Sequence, residues 1–376
     1  MLLLFKVSKP QVTSTNICSN GESLHYFILN NTLVASLCYV AQTNINTDQL
    51  ALLSLKSQIS SDPFRFLNES WSPAISVCRW ASEALKLSNL ALTGRIPRDF
   101  GNLTFLVSLD LGNNHFHGNL PQEMAHLRRL KFLDLSLNSF RGEIPSCFGF
   151  LHQLQVVNLR SSSFTGSIPP SLSNASRLET LQISANLLQG NIPEEIGNLH
   201  NLNWLSIENN QLTGSIPFTI FNISRIEVIA FSYNSLSGDL PNGLCSDLPI
   251  LKELYLSINK LHGHLPKSLS NCSQLQILSL SQNDFDGPIH NEIGRLSNLQ
   301  TLEIGYNHFT GIIPQEIGNL VNLVKLDMGG NQITGSIPIS VFNISFGFLP
   351  REIGNLTEMQ FLYLNQNRFT GTYSKL

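Results

Sequence analysis

The sequence predicts a stacked solenoid whose coils each add one short strand to a parallel sheet. Starting at Pro97, a proline returns every 24 residues as far as Pro241, and a glycine keeps step three residues ahead of each proline. Pro266 comes one residue late, and His290 fills the next proline position. A fixed period of about 20 to 50 residues is typical of repeat architectures, in which stacking of neighbours buries a continuous core.

The segment 202–217 shows what each coil contains. It follows the pattern LxxLxLxxNxLxGxIP. In a strand, side chains alternate between the two faces, so Leu205 and Ile207 are expected in the core while Trp204 and Glu208 face outward. The sequence pattern therefore predicts about 12 strand-bearing coils of 24 residues, with neighbouring strands paired in parallel.

An asparagine follows each predicted strand, where the chain turns inward. Its amide offers donors and an acceptor, which can satisfy backbone groups of its own coil and of the adjacent one. Leu90 and Ser162 occupy two of these positions, which predicts two weaker coils. The predicted structural ladder consists of Asn114, Asn138, Asn186, Asn210, Asn234, Asn259, Asn283, Asn307, Asn331 and Asn367.

Composition excludes several classes of function. The chain has 376 residues, of which 13% are charged, and its net charge is −3. Such a balance gives no long-range field to attract nucleic acid or an anionic membrane, so we expect no nucleic-acid partner. No nucleophile with a base, paired carboxylates or phosphate loop stands outside the repeat pattern, so we expect neither an enzyme nor a cofactor.

Two histidine pairs have a spacing that resembles a metal site. His115 with His117, and His262 with His264, flank the turn that contains the repeat glycine. Neither pair has a third ligand nearby in sequence, so we interpret both as turn surface and predict no metal site.

The first 43 residues do not fit the repeat and are interpreted as a leader. An apolar stretch at 27–41, interrupted by Asn30 and Asn31, resembles a secretory core. Its late position leaves two alternatives: the true start is internal, or the upstream part is an extension of the gene model. No later apolar run reaches the length of about 18 residues that a membrane-spanning helix needs.

Glycosylation sequons support secretion. The pattern Asn-x-Ser/Thr recurs on turns at similar phases of the repeat, and in a secreted chain it accepts N-linked glycans. We therefore expect a secreted, apoplastic or cell-surface protein. The predicted acceptors are Asn68, Asn102, Asn174, Asn222, Asn271, Asn343 and Asn355.

The extended pattern LxxLxLxxNxLxGxIPxxIGNL resembles the plant-type leucine-rich repeat over residues 44–373. The resemblance implies an α/β leucine-rich repeat solenoid, a right-handed curved superhelix with the parallel sheet on its concave face. Residues 44–84 resemble the N-terminal helical cap of that family, with Asn46 and Gln49 as a capping box. Residues 85–376 would form the solenoid.

Short sequence motifs within the repeats are similar to those in ectodomains of plant receptor kinases that sense microbial patterns. Phe-Asn-Ile-Ser occurs at 221–224 and 342–345, and Ile-Gly-Asn-Leu is repeated. The resemblance implies recognition of a peptide or a carbohydrate pattern in plant defence or signalling, with a leucine-rich repeat co-receptor. Two alternatives stay open: a soluble inhibitor resembling the polygalacturonase-inhibiting proteins, and a non-functional fragment.

Three departures from the family pattern favour a truncated copy of a receptor over a purposeful short form. After Trp80 the chain lacks the second cysteine of the cap, so Cys78 has no predicted partner. Pro350 restores the repeat phase 12 residues early, which predicts a half coil at 339–350 that has lost its strand. The chain then ends within a turn, without a C-terminal cap. An inhibitor would carry paired cysteines in both caps, so the receptor interpretation is favoured.

Aromatic and acidic residues cluster among the outward positions of the central coils. Exposed aromatic side chains beside fixed charges are typical anchors for a peptide, and the carboxylates favour a basic ligand. The alternative is that these positions tolerate any residue. The candidate ligand-binding residues are Trp204, Glu208, Tyr233, Glu253, Tyr255, Glu303 and Tyr306, with Tyr363 further along the chain. Cys245 and Cys272 lie on consecutive coils, and their pairing is left open.

Overall fold

The computed structural model describes residues 25–29, 32–36, 45–67, 83–341 and 358–370. It divides into two compact units, 1–44 and 45–376. In the first unit, His25–Leu29 and Thr32–Ser36 pair as an antiparallel hairpin. The rest of the predicted leader lies outside the described residues, as do Cys78 and the predicted glycan acceptors Asn68, Asn343 and Asn355.

The second unit is built on a parallel sheet of twelve strands, whose order in the sheet follows their order in the chain. This sheet confirms the predicted solenoid and its number of strand-bearing coils. The strands, β1 to β12, are Ala84–Lys86, Ser108–Asp110, Phe132–Asp134, Val156–Asn158, Thr180–Gln182, Trp204–Ser206, Val228–Ala230, Glu253–Tyr255, Ile277–Ser279, Thr301–Glu303, Lys325–Asp327 and Phe361–Tyr363.

The middle residue of each strand points into the solenoid, and its two neighbours face outward. Leu181, Leu205, Ile229 and Leu254 are buried in this way, each directly opposite the next in the sheet register. Leu362, in the last strand, is 37% exposed. Burial of this apolar row is the main force that stacks one coil on the next. We call the outward surface of β1 to β12 the concave face.

Each coil returns through a second short strand. From Gly118 to Gly335, the repeat glycine lies in or beside it with a positive φ, for example 76° at Gly214, which is the left-handed region that favours glycine. Stacked phenylalanines fill the core beneath, with ring centroids 6.2 Å apart for Phe116 and Phe140. A six-stranded parallel sheet contains Gln189–Asn191, Gln211–Ser215, Ser235–Asp239, Lys260–His264, Asp284–Pro288 and His308–Thr310. A five-stranded sheet contains Ile59–Ser61, Thr93–Gly94, His115–Gly118, Ser139–Glu143 and Ser163–Thr165, and Thr334–Gly335 pairs with Arg368–Phe369.

Short 3₁₀ helices follow the repeat prolines. A proline lacks the backbone N–H, which is unpaired at a helix start in any case. The glycine of the Ile-Gly-Asn-Leu segment allows close packing, because a Cβ on Gly197 would lie 2.3 Å from the Cβ of Thr219 in the next coil. The helices are Arg98–Asn102, Gln122–His126, Ser146–Phe150, Pro170–Asn174, Glu194–Asn198, Phe218–Asn222, Lys267–Asn271, Asn291–Arg295, Gln315–Asn319 and Ile339–Val341.

An α-helix, α1 (Ile45–Gln58), covers the first coil. Its residues Leu52 and Leu55 are fully buried, as expected for the helical part of a cap. The helix begins at Ile45, so Asn46 lies within the first turn and not at the N-cap position assigned from the sequence. Ile59 lies beyond the helix, in a short strand that pairs with Thr93–Gly94.

The chain between β11 and β12 is longer than in other coils. The amide oxygen of Asn331 accepts a hydrogen bond from a backbone group 22 positions earlier, whereas that of Asn367 accepts one from 34 positions earlier. The two strands nevertheless pair directly. Residues 342–357, which include most of the predicted half coil, lie outside the described part.

A disulfide joins Cys245 and Cys272, whose Cα atoms are 5.2 Å apart. It spans the coil in which the proline arrives one residue late, at Pro266. Cys147 is free, and its thiol donates a hydrogen bond to the carbonyl oxygen of Gln122 at 3.3 Å. Burial raises the pKa of the Cys147 thiol.

A candidate ligand site on the concave face

The asparagine side chains hold adjacent coils together through the same set of bonds. The amide nitrogen of Asn210 donates to the carbonyl oxygens of Ile183, Ile207 and Glu208 at 3.1, 3.0 and 3.2 Å, and its oxygen accepts the N–H of Leu188 at 3.0 Å. Equivalent bonds are formed by Asn114, Asn138, Asn186, Asn234, Asn259, Asn283, Asn307, Asn331 and Asn367. The ladder fixes the backbone from which the concave side chains extend.

Ser162 occupies a ladder position without performing its role. Its hydroxyl oxygen is buried and has no hydrogen-bond partner. The side chain lacks the amide with which Asn186, one coil later, donates to the carbonyl groups of Leu159 and Ile183. A buried polar atom without a partner destabilises the fold, so this coil is a weak point of the solenoid.

The strand register brings three of the predicted residues, Trp204, Glu253 and Tyr255, onto one part of the concave face. Trp204, Val228 and Glu253 are directly opposite one another on β6, β7 and β8. Tyr255 lies two residues beyond Glu253 on the same face of β8. Since strands are about 4.8 Å apart, Trp204 and Glu253 stand roughly 10 Å from each other across Val228.

The central strand of this part, β7, is buried throughout although two of its residues face outward. Val228 is 5% exposed and Ala230 is 4% exposed, whereas Trp204 is 40% exposed. Short side chains on an open face become buried when longer neighbours lie over them. Trp204, Glu253 and Tyr255 flank β7 and are long enough to do so. Together with Glu208, these three residues form what we call the acidic platform.

A hydrogen bond within the platform orients its carboxylate. The hydroxyl of Tyr255 donates to Oε2 of Glu253 at 3.0 Å. Burial raises the pKa of Tyr255, and the negative charges of Glu253, Glu208 and Glu303 raise it further. The phenol therefore stays protonated as a donor, within the electrostatic reach of three carboxylates.

Glu208 is the second carboxylate of the platform and is half-buried. Burial raises its pKa, while the charge of Arg160 and a hydrogen bond with Ser232 lower it. The ion pairs among the described residues do not include Glu208 or Glu253. The platform thus carries negative charge that no cation contacts directly.

Glu303 differs from these two because it already has partners. Ser279 donates to Oε2 of Glu303 at 2.5 Å, and Lys325 Nζ contacts Oε1 at 2.5 Å. The hydrogen bond with Glu303 raises the pKa of Lys325, whose Nζ also lies 5.9 Å from the ring centre of Tyr363. Sequence reasoning missed Lys325, although its strand position one coil after Glu303 could have indicated the pair.

Tyr233 and Tyr306 do not lie on the strands. Both follow the last outward position of their coil, in a left-handed turn with φ of 59° and 53°, and both are about half exposed. Both therefore lie beyond the strands of the concave sheet, in the turn just before the ladder asparagine. Tyr306 borders an open depression of about 510 Å³ together with Gln282 and Asp284.

One of the two histidine pairs with metal-like spacing meets carboxylates: His262 Nδ1 lies 2.6 Å from Asp239, and His264 contacts Asp286. His308, outside those pairs, has its Nε2 3.4 Å from Asp284. Each of these histidine–carboxylate contacts connects adjacent coils of the six-stranded sheet. In the other pair, Nδ1 of His117 lies 3.4 Å from the carbonyl oxygen of His115. Within the ranges that the structure describes, no group of three or more His, Cys, Asp or Glu residues could hold a metal ion.

The described sequon asparagines share one location. Asn102, Asn174, Asn222 and Asn271 are exposed, and each is the last residue of a 3₁₀ helix. None lies on a strand of the concave sheet. Glycans at these positions would leave the acidic platform uncovered.

Comparison with known proteins identifies the repeat. The family model described as Leucine Rich Repeat matches residues 105–127, 129–151, 153–175, 177–199, 201–223, 251–272, 274–296, 298–320 and 322–344. These segments make up more than half of the chain. The chain belongs to the leucine-rich repeat family.

Its relatives include plant receptor kinases and their ectodomains. It is 35% identical over 95 residues to the LRR receptor-like serine/threonine-protein kinase EFR of Arabidopsis thaliana, covering 22% of this chain and 9% of the kinase. It resembles the plant peptide hormone receptor RGFR1, solved with RGF2, with a TM-score of 0.69 and 33% identity, covering 76% of this chain and 43% of the receptor. The Arabidopsis receptor kinase HAESA, solved with the peptide hormone IDA and the co-receptor SERK1, gives a TM-score of 0.62 and 29% identity, covering 86% of this chain and 62% of that one.

This leucine-rich repeat protein spans less than two thirds of each of these relatives. Its fold and repeat resemble those of the plant receptor ectodomains RGFR1 and HAESA. Among the residues that the structure describes, no helix has the length and hydrophobicity needed to cross a membrane.

Proposed function

We propose that this protein is an extracellular recognition module that binds a peptide on its concave face and performs no chemistry. The observation that carries the proposal is the acidic platform, in which exposed Trp204 and half-buried Tyr255 adjoin carboxylates without a cationic partner. Aromatic anchors beside fixed charges are the usual centre of a peptide interface. RGFR1 and HAESA, which share the fold, were both solved with peptide hormones.

The rigidity of the solenoid supports this role. The parallel sheet and the asparagine ladder hold the concave side chains at fixed spacing, so a ligand meets a surface that is already organised. A peptide in an extended conformation advances about 3.3 Å per residue and can contact several coils of the concave face.

We further propose a place at the cell surface or in the apoplast, and a second leucine-rich repeat protein as co-receptor. The sequons on the 3₁₀ helices support exposure to the secretory pathway. HAESA was solved with the co-receptor SERK1, which supports a partner of that kind. A role in defence or signalling accords with the resemblance to plant receptor kinases.

Selection of a random peptide library displayed on phage would test the proposal with the full glycosylated chain. We expect enrichment of peptides that bind the unmodified protein and lose at least tenfold in affinity for the double variant Trp204→Ala, Tyr255→Ala. A double variant at exposed positions away from the concave sheet, Phe150→Ala with Phe218→Ala, is the matched control. Equal binding by all three proteins would contradict the proposed site.

A further inference from the structure

We propose that the acidic platform recognises an arginine side chain of the ligand, which stacks on Trp204 and pairs with Glu253. This inference rests on the proposed function and specifies its ligand. The two residues are opposite one another in the strand register, separated only by Val228. Two strand spacings, roughly 10 Å, is a distance that one inserted side chain can bridge.

The charges around the platform favour a cation. Oε2 of Glu253 accepts the hydroxyl of Tyr255, and among the described residues no hydrogen bond reaches its other oxygen, Oε1. Glu208 adds negative potential, which Arg160 offsets only in part because the two form no ion pair among the described contacts. Glu303 is neutralised by Lys325, so the unsatisfied negative charge is concentrated at Glu253 and Glu208.

The aromatic neighbour favours arginine over lysine. Val228 is buried although it faces outward, and Trp204 and Glu253 are its two neighbours in the strand register. A planar guanidinium stacks on an indole while its N–H groups reach a carboxylate at the same time, whereas an ammonium is a compact, strongly hydrated point charge. The combination of an exposed tryptophan and an available carboxylate oxygen is thus better matched by arginine.

Small probes separate this inference from general peptide binding. The full chain with ¹⁵N-labelled tryptophan would be titrated with N-acetyl-arginine amide, N-acetyl-lysine amide and the uncharged isostere N-acetyl-citrulline amide. The Trp204 indole resonance is identified by its loss in Trp204→Phe. We expect a saturable shift with the arginine probe, binding several-fold weaker with the lysine probe, and no saturable shift with the citrulline probe.

Variants locate the carboxylate that is responsible. Glu253→Gln should weaken the arginine probe about tenfold, because it removes the charge and keeps the shape. Glu195→Gln makes the same change in net charge at an exposed 3₁₀ helix and should leave binding unchanged. Equal shifts with arginine and citrulline, or unchanged binding by Glu253→Gln, would overturn the inference.

The library selection distinguishes failure of this inference from failure of the proposed function. Peptides that depend on Trp204 and Tyr255 but share no arginine would refute the arginine site and leave peptide recognition standing. Peptides that share an arginine and are displaced by N-acetyl-arginine amide would support both. If no selected peptide depends on Trp204 and Tyr255, the platform is not a peptide site and both proposals fail.

Discussion

Tyr255 donates its hydroxyl to Glu253 at 3.0 Å, so an aromatic ring and a carboxylate two positions apart on one strand act as a unit on the concave face. The bond holds one carboxylate oxygen and leaves the other available. Because burial, and then the nearby glutamates, raise the pKa of Tyr255, the phenol keeps its proton throughout the physiological range.

Replacing Tyr255 by phenylalanine should therefore affect binding more than folding. The ring is retained, but Glu253 loses the donor that orients it. We expect the affinity for the arginine probe to fall about threefold, with the melting temperature changed by less than about 2 °C, since a half-exposed hydrogen bond contributes little. Titration and thermal unfolding of Tyr255→Phe would check this, and a loss of stability without a change in affinity would count against the platform.

Adding the missing ladder amide should stabilise the fold. An asparagine at position 162 would be placed to donate to the carbonyls of Leu135 and Leu159, as Asn186 does one coil later to those of Leu159 and Ile183. It would also remove the buried hydroxyl that has no partner. We expect Ser162→Asn to raise the free energy of unfolding by about 1 kcal/mol.

The reverse change is the matched control for that prediction. Asn186→Ser should lower the free energy of unfolding by about 1 to 3 kcal/mol, because several carbonyl groups lose their donor. Urea unfolding of both variants measures the two effects on adjacent coils. If Ser162→Asn proves no more stable than the unmodified chain, the ladder position at 162 is satisfied in some other way.

Much of this fold could be predicted because the repeat encodes it many times. The alternation at Leu205 and Ile207 identifies core positions, and the recurring glycine, such as Gly214, indicates a turn with a positive φ. The site was harder to predict, because it depends on which side chains from different coils meet. The pattern identifies both Glu208 and Glu303 as outward positions, yet Lys325 neutralises only Glu303.

Local bending and pairing between coils also escaped the sequence pattern. Tyr233 was predicted at an outward position of the strand face, but it follows the strand and is itself the left-handed residue before the ladder asparagine. The pairing of Cys245 with Cys272 was left open, because cysteine spacing does not fix the distance between Cα atoms.

Removing that disulfide should weaken the coil with the extra residue. The bridge closes a loop with a sequence separation of 27, for which chain entropy predicts roughly 3 to 4 kcal/mol of stabilisation. We expect Cys245→Ser, Cys272→Ser to lower the melting temperature by several degrees, and a reducing agent to produce the same shift in the unmodified protein. Cys147→Ser changes a free thiol and serves as the control. An unchanged melting temperature in the double variant would show that the bridge adds no stability.

The pKa of Glu208 predicts opposite effects of pH on folding and on binding. Burial raises this pKa, so between the ordinary range of a glutamate and the raised value the folded state binds more protons than the unfolded state. The contribution of Glu208 to stability therefore falls as pH rises through that window, and the loss persists at neutral pH. Glu208→Gln should consequently raise the melting temperature at pH 7, with a smaller difference at a pH below the ordinary range of a glutamate. The affinity for the arginine probe should respond to pH in the opposite direction to stability, because the charged carboxylate that destabilises the fold attracts the cation.

We expect this affinity to increase with pH through the same window in the unmodified protein. Glu208→Gln should lose part of that dependence, as measured by titration at several pH values. A variant that is less stable at pH 7, or that binds the probe more tightly, would show that the charge of Glu208 serves the fold and not the ligand.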